Sequence, residues 1–356
     1  MIRLNGGGGR GDYINDFGSG EFVDVRAVRF DRVPAFVPDY PDPQPADGEC
    51  VVKVHLAGIC ATDLHLTRGY MKFKGVLGHE MVGSVVSGQK EWLNKRVVCE
   101  INCVCRKCEM CLGGLATHCL RRTVMGIDGR DGCFADLVAV PAHNLHAVPD
   151  TLSDEDAVFV EPLAAAYQVL AQCQIDPRMK VSVVGTGRLG LLVVQALATT
   201  GCKLTAVGRN AAKLMMCEKK GVQGIHVDEL VGGRDRDVVV ECSGSPAGLG
   251  VALRLVRPRG TVVLKSTYAL EGQAAAMPRV ERSSAPPDLS QIVINEVNLL
   301  GSRCGPFPEA INALARQAVE VRSLISRTYP IERALEALSA AADPANIKVL
   351  LKINPR

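Results

Sequence analysis

Val181-Ser182-Val183-Val184-Gly185-Thr186-Gly187-Arg188-Leu189-Gly190, residues 181–190, is the stretch that decides the fold. A short β-type run enters a Gly-x-Gly-x-x-Gly turn, and the apolar segment Leu189 to Ala198 that follows reads as a helix. Gly185 permits the tight turn, Gly187 lets backbone approach a pyrophosphate, and Gly190 lets the helix pack closely on the strand. The helix N-terminus that Arg188 and Leu189 open favours an anion. A lone glycine motif is a weak signal; its strand–glycine–helix setting makes it specific for a dinucleotide.

Downstream, apolar strands alternate with helices: Lys203 to Val207, Ala211 to Lys219, Val238 to Glu241, Gly248 to Val256 and Thr261 to Leu264. Such alternation implies a parallel sheet covered on both faces, a doubly wound α/β arrangement. The second strand ends in Val207-Gly208-Arg209-Asn210, where a site for NAD usually carries a carboxylate for the ribose hydroxyls. Gly208 and Arg209 stand there instead. An arginine can pair bidentately with a 2′-phosphate, and no acid repels it, so NADP is expected in preference to NAD. The bland alternative is that Arg209 only stacks on adenine.

Upstream, Val25 to about Val148 consists of short β-type runs (Val51 to Leu56, Val82 to Val86, Arg96 to Ile101, Phe134 to Val140) punctuated by turns such as Asp47-Gly48 and Asp128-Gly129. The pattern predicts an irregular, mostly β region. Pro38 to Pro45 reads as an extended surface connection. Ser153 can cap a helix whose first turn carries Asp154, Glu155 and Asp156, and Pro162 suits the first turn of the next helix. Residues 1–24, with Gly6 to Gly9, read as a flexible tail; their Arg10-Gly11-Asp12 is an adhesion-like tripeptide that arises often by chance. Ala269 to Pro287 reads as a long loop. Val297 to Gly301 reads as a late strand, Ile331 to Ala342 as a helix and Ile347 to Ile353 as a last strand.

Composition narrows the possible functions. The chain has 356 residues, 47% of them apolar and 22% charged, with 41 basic against 38 acidic side chains and a net charge of +3. Nothing in that balance draws in polyanions, so nucleic acid is not expected as a partner. No apolar run approaches the roughly 20 residues of a membrane span, and the N-terminus lacks a secretory core, so a soluble, cytoplasmic protein is expected.

Fourteen cysteines in a chain of this length call for an explanation other than disulfides. Cys105-x2-Cys108-x2-Cys111-x7-Cys119 has the spacing of a tetrahedral zinc site, with Cys103 and His118 as rival ligands. Four thiolates leave no place for substrate, so this zinc is expected to be structural. A second set is dispersed: Cys60 in Gly58-Ile59-Cys60-Ala61-Thr62-Asp63-Leu64-His65, His79-Glu80 in Gly78-His79-Glu80-Met81-Val82-Gly83, and Glu161 before Pro162. Singly, each reads as core, helix dipole or exposed surface. Together, one thiolate, one imidazole and carboxylates make the mixed shell that catalytic zinc requires.

These motifs, in this order, resemble the zinc-dependent medium-chain alcohol dehydrogenase superfamily from Val25 to Ile353, and Glu161-Pro162 brings the resemblance nearest its polyol and threonine dehydrogenase branch. The resemblance implies a GroES-like catalytic domain of residues 25–155 and 306–356, with a Rossmann dinucleotide domain, 156–305, inserted between them. It implies that Cys60 and His79 bind a catalytic zinc, with Glu80 and Glu161 as the remaining carboxylates, one direct and one through water. Thr62 would hold the substrate hydroxyl and His65 would end a proton relay. Ser302, Arg303 and Lys348 would contact the nicotinamide side or the phosphates. It also implies a homodimer or homotetramer, commonly paired through the late strand.

The expected activity is reversible hydride transfer between a small-molecule alcohol and a nicotinamide coenzyme, with one catalytic and one structural zinc. The competing reading is a non-enzymatic structural or redox-sensing protein of the same fold. A zinc-free quinone or enoyl reductase would lack the ligand set.

Overall fold

The structure, a computed structural model, describes residues 25–267 and 287–354. The glycine-rich leader with its Arg10-Gly11-Asp12, and nearly all of the Ala269–Pro287 segment, lie outside the described residues. Among those described, no helix is long and apolar enough to cross a membrane.

The glycine turn sits in a six-stranded, wholly parallel sheet ordered Gln223–His226, Lys203–Gly208, Lys180–Val184, Arg236–Glu241, Val256–Leu264, Asn298–Gly301. The chain starts in the middle, winds outward one way and then the other, so the strand order reverses beside Lys180–Val184. In such sheets the carboxyl ends of the strands at the reversal form a ligand crevice. Val181 and Val183 point into one buried cluster with Leu191, Leu192 and Val194 of the following helix, Arg188–Ala198. Val184 and Val207 join another with Val251 and Leu255. Both faces are therefore covered, which is why these strands read as unbroken apolar runs.

The remainder is built on a seven-stranded sheet. Its spine runs Leu145–Ala147, Arg96–Cys99, Glu80–Ser87, Glu49–Ile59, Lys348–Lys352, Ile325–Pro330, and Leu137–Pro141 also pairs with Glu49–Ile59. The C-terminal strand thus returns to the N-terminal sheet, with Val349 opposite Ile59 and Leu350 opposite Gly58. Two helices connect the two sheets: Asp154–Ala157, capped by Ser153 Oγ accepting the Asp156 N–H at 3.1 Å, and Val160–Gln172. His55 and Arg96 on the N-terminal sheet both bond Asp154, at 3.0 and 2.9 Å. Among the elements absent from the expected pattern are the helix Phe307–Ala315 and the strands Gln223–His226 and Ile325–Pro330. The two strands are short, half-buried or exposed, and polar-rich, and their β character comes from their sheet partners.

Candidate active site

Cys60 ends the long strand Glu49–Ile59 and is the N-cap of the short helix Ala61–Leu66. Asp63, wholly buried, folds back so that its Oδ2 accepts the Cys60 N–H at 2.8 Å. Its other oxygen lies 3.2 Å from His79 Nδ1. His79 leads into the strand Glu80–Ser87, and Glu80 is the cross-strand partner of Gly58. A Cβ on residue 58 would come within 2.2 Å of Glu80 Oε2, so only glycine there lets the carboxylate lie across the sheet end. The Cys60 sulfur, a His79 nitrogen and a Glu80 oxygen consequently lie within 4.8 Å of one another.

This set fits a zinc ion. Glu80 Oε1 is buried with no hydrogen-bond partner, a costly state that a cation would relieve. Burial lowers the pKa of His79, but the Asp63 carboxylate and the Cys60 thiol outweigh it and hold the pKa well above the ordinary value. Glu161, in the first turn of Val160–Gln172, falls outside the tight set. Burial pushes its carboxyl up to about 7, helped by the neighbouring Glu80 carboxylate and against the fields of His79, Lys348 and Lys265. Between the two carboxylates left open by the sequence, Glu80 is the one the fold brings against Cys60 and His79.

Thr62 Oγ1 is 3.7 Å from Cys60 Sγ, and His65 is exposed one turn further on, its ring 6.4 Å from that of Tyr70. Asp63 was not singled out in the sequence, where it stands as one more acid between two better-known neighbours. Its role depends on His79, which only the strand pairing brings near.

In the cysteine lobe, Sγ–Sγ distances are 3.5 Å for Cys108–Cys111, 3.7 Å for Cys108–Cys119 and 3.5 Å for Cys105–Cys119. Four sulfurs at a Zn–S distance of about 2.3 Å stand about 3.8 Å apart in a tetrahedron, so this lobe also fits zinc. Backbone N–H groups of Cys105 and Arg121 donate to Cys119 Sγ. Backbone donors also bring the Cys108 thiol down to about 6. Of the rival ligands, Cys103 is turned into the core, where Asn144 Nδ2 donates to it at 3.8 Å, and His118 is outside the group.

Beside the glycine turn lies a cavity of about 1150 Å³, lined by Gly185, Thr186, Gly187, Gly208, Arg209, Asn210, Lys213, Cys242 and Arg254 among others. Gly185 has φ +96°, and a Cβ on Gly190 would meet Gly185 O at 1.8 Å, whereas a Cβ on Gly187 would stand in open space. Gly187 therefore marks where a pyrophosphate can lie against backbone, and the cavity fits a dinucleotide.

Four side chains expected at the coenzyme have hydrogen-bond partners within the protein. Arg188 donates to the carbonyls of Ala341 and Ile347, which turns its side chain to the C-terminal segment. Arg303 donates to Asn102 Oδ1 and Thr117 O. Ser302 Oγ accepts from Lys265 Nζ at 3.2 Å. Lys348 is buried and bonds Glu80 Oε2 at 2.5 Å, because the pairing of its strand with Glu49–Ile59 carries it to the metal-ligand side. Lys265, which carries no signal in the sequence, is buried against Ser302 and Arg303.

Comparison with known proteins agrees with this arrangement. Residues 46–150 match the family model described as alcohol dehydrogenase GroES-like domain, and residues 189–319 match that described as zinc-binding dehydrogenase; together they cover more than half of the chain. The chain is 28% identical to the D-arabitol-phosphate dehydrogenase of Enterococcus avium, over 94% of this chain and 97% of that protein. Among solved structures, the alcohol dehydrogenase RspB of E. coli CFT073 in complex with NADH superposes with a TM-score of 0.81 at 25% identity, covering 92% of this chain and 99% of that one. A Sinorhizobium meliloti structure assigned as a zinc-binding dehydrogenase and bound to NADP gives 0.80 at 27% identity, with the same coverage. A GroES-like sheet joined to a doubly wound dinucleotide sheet, two cysteine-containing zinc-type clusters and these relatives place the chain in the zinc-dependent medium-chain alcohol dehydrogenase superfamily, to which it belongs as an alcohol oxidoreductase.

Proposed function

We propose that this enzyme oxidises a polyol-type secondary alcohol reversibly to its carbonyl, using NADP in preference to NAD and holding two zinc ions per chain. The observation that carries the reading is the convergence of Cys60, His79 and Glu80 within 4.8 Å, beside a cavity whose glycine turn can seat a dinucleotide. Cys60, His79 and Glu80 would hold the catalytic zinc, with Glu161 in reserve beside it, and Cys105, Cys108, Cys111 and Cys119 the structural one. When bound, zinc supplies a Lewis acid for the substrate oxygen and the nicotinamide supplies the hydride acceptor.

The chain's own residues do the rest. Thr62 Oγ1, next to Cys60, takes the hydrogen bond of the substrate hydroxyl and, as it accepts that proton, releases its own outward toward His65. His65, exposed at the outer end of the same helical turn, passes that proton to water, a role worth roughly 10²- to 10⁴-fold in rate. Asp63 fixes the His79 ring. Arg209, at the end of Lys203–Gly208, pairs with the 2′-phosphate. Polyol character is supported by the likeness to the D-arabitol-phosphate enzyme.

The return of Lys348–Lys352 to the N-terminal sheet supports a catalytic domain of residues 25–155 and 306–356 around the coenzyme domain 156–305. The open edge strand Asn298–Gly301, with Leu299 43% and nearby Val293 80% exposed, supports pairing with a second copy. A panel of polyols and secondary alcohols assayed with both coenzymes, on native and Cys60→Ala protein of measured zinc content, tests the reading. Turnover that survives Cys60→Ala with full zinc occupancy would overturn it.

A further inference from the structure

Lys265 follows the strand Val256–Leu264 at its carboxyl end, on the half of the sheet away from the strands that seat the adenosine. A dinucleotide lying across the reversal in strand order places its two mononucleotide halves on the two halves of such a sheet, so this end faces the nicotinamide. The side chain is only 8% exposed. Its ammonium is fixed by two acceptors at the end of the next strand, Ser302 Oγ at 3.2 Å and Arg303 O at 2.8 Å. The groups within its electrostatic reach come from every side: Cys242, which lines the coenzyme cavity, Glu161 beside the candidate catalytic zinc set, and Cys304. Cys304 is itself held against Val160–Gln172, since the adjoining Gly305 passes so close to Ala164 O that a Cβ would come within 1.9 Å. Lys265 is therefore held at the carboxyl end of the sheet within electrostatic reach of Cys242, which lines the coenzyme cavity, and of Glu161, near the metal-ligand cluster, on the side where a nicotinamide ring must lie for hydride to pass.

We propose that Lys265 is a coenzyme-selecting residue: its buried, fixed positive charge disfavours the cationic oxidised nicotinamide and favours the neutral reduced one, so that the protein holds NADPH more tightly than NADP⁺. The inference rests on the dehydrogenase reading of the site. Burial brings the amine down to about 8, which leaves it mostly charged at neutral pH. Interaction of two unit charges in a partly buried site is large enough to separate the two oxidation states by about tenfold or more in affinity. The same charge acts on NADPH and NADH alike, so the effect is independent of any 2′-phosphate preference. The alternative role, a structural tie between two strand ends, would not distinguish oxidation states.

The test is equilibrium binding to the full-length, zinc-replete protein at pH 7, with coenzyme fluorescence reading NADPH and competition reading NADP⁺. Native enzyme should bind the reduced form more tightly by about tenfold or more. Lys265→Gln keeps donors for Ser302 and Arg303 but removes the charge; its preference should fall by about tenfold, chiefly through tighter NADP⁺ binding. Lys265→Arg should keep the native ratio. The inference is overturned if Lys265→Gln weakens both forms equally or leaves the ratio unchanged, whatever the turnover. Native protein that binds neither coenzyme overturns the dehydrogenase reading and this inference together, whereas a lost preference without loss of binding bears on Lys265 alone.

Discussion

Lys348 Nζ and Glu80 Oε2 are 2.5 Å apart, and the two side chains are 4% and 1% exposed. They are distant in sequence, and the pairings Val349–Ile59 and Gly58–Glu80 bring them to one sheet end. The bond occupies one carboxylate oxygen and leaves Oε1 for a metal. Removing one member of a buried pair strands the other's charge, which typically destabilises by about 3–5 kcal/mol. Lys348→Met should therefore be less stable by about that amount in urea denaturation of metal-free protein, where Glu80 has no other cation. Adding Glu80→Gln should recover more than half of the loss, since both charges then disappear. Single and double variants of equal stability would refute the pairing.

Asp63 supports two of the three candidate protein ligands, accepting the Cys60 N–H at 2.8 Å and standing 3.2 Å from His79 Nδ1. Groups that orient ligands in this way typically contribute 10- to 100-fold in metal affinity. Asp63→Asn should weaken zinc binding at this site by about that factor, as measured by competition with a chromophoric chelator. The cysteine-lobe zinc should be unaffected, giving a biphasic titration. One unchanged phase for both metals would exclude the role.

What could be read from the residues alone was whatever depends on near neighbours in the chain. The glycine turn at Gly185–Gly190 and the spacing of Cys105, Cys108, Cys111 and Cys119 are complete within a few turns of backbone, so their chemistry is visible without the fold. Lys348 was placed at the coenzyme because its partner is set by a strand register that leaves no local mark. Asp63 and Lys265 were passed over for a related reason. A carboxylate and an amine look like solvated surface until burial and strand order are known, and here both are inside. Arg188 shows the reverse: its position in the turn was plain, yet its side chain serves the C-terminal segment instead of the phosphates.

The cysteine lobe protrudes with Leu112, Leu115 and Leu120 exposed, and it has little core of its own. Its local order should depend on the metal. Cys108→Ser is expected to lower zinc content by one ion per chain and to open residues 105–119 to limited proteolysis. Coenzyme affinity should be retained, because the glycine turn is far along the chain on another sheet. A variant with full zinc content and native protease resistance would count against this site.

Arg209 and Gly208 stand where a ribose-binding acid would exclude a 2′-phosphate. A charge-assisted, bidentate contact is worth about 1.5–3 kcal/mol, or roughly tenfold to a hundredfold in affinity. Arg209→Ser should raise the KM for NADP by about that factor and change that for NAD by less than threefold. Equal losses with both coenzymes would mean that Arg209 serves the adenine instead.

Asp154 ties the connecting helix Asp154–Ala157 to the N-terminal sheet, accepting from Arg96 Nη1 at 2.9 Å and lying 3.0 Å from His55 Nδ1. Burial opposes its ionisation, but the His55 and Arg96 contacts prevail and hold the carboxyl below its ordinary value. In the unfolded chain the group titrates near 3.9, so the folded state binds its proton less readily. The resulting stability is fully present above that unfolded value and is lost as pH falls through the lower folded one. Asp154→Asn should lower the urea midpoint at pH 7, consistent with a loss of about 1–3 kcal/mol. It should also make stability less dependent on pH below about 4. If the native and variant curves stay parallel from pH 7 to pH 3, the carboxylate contributes no proton linkage and the tie is only steric.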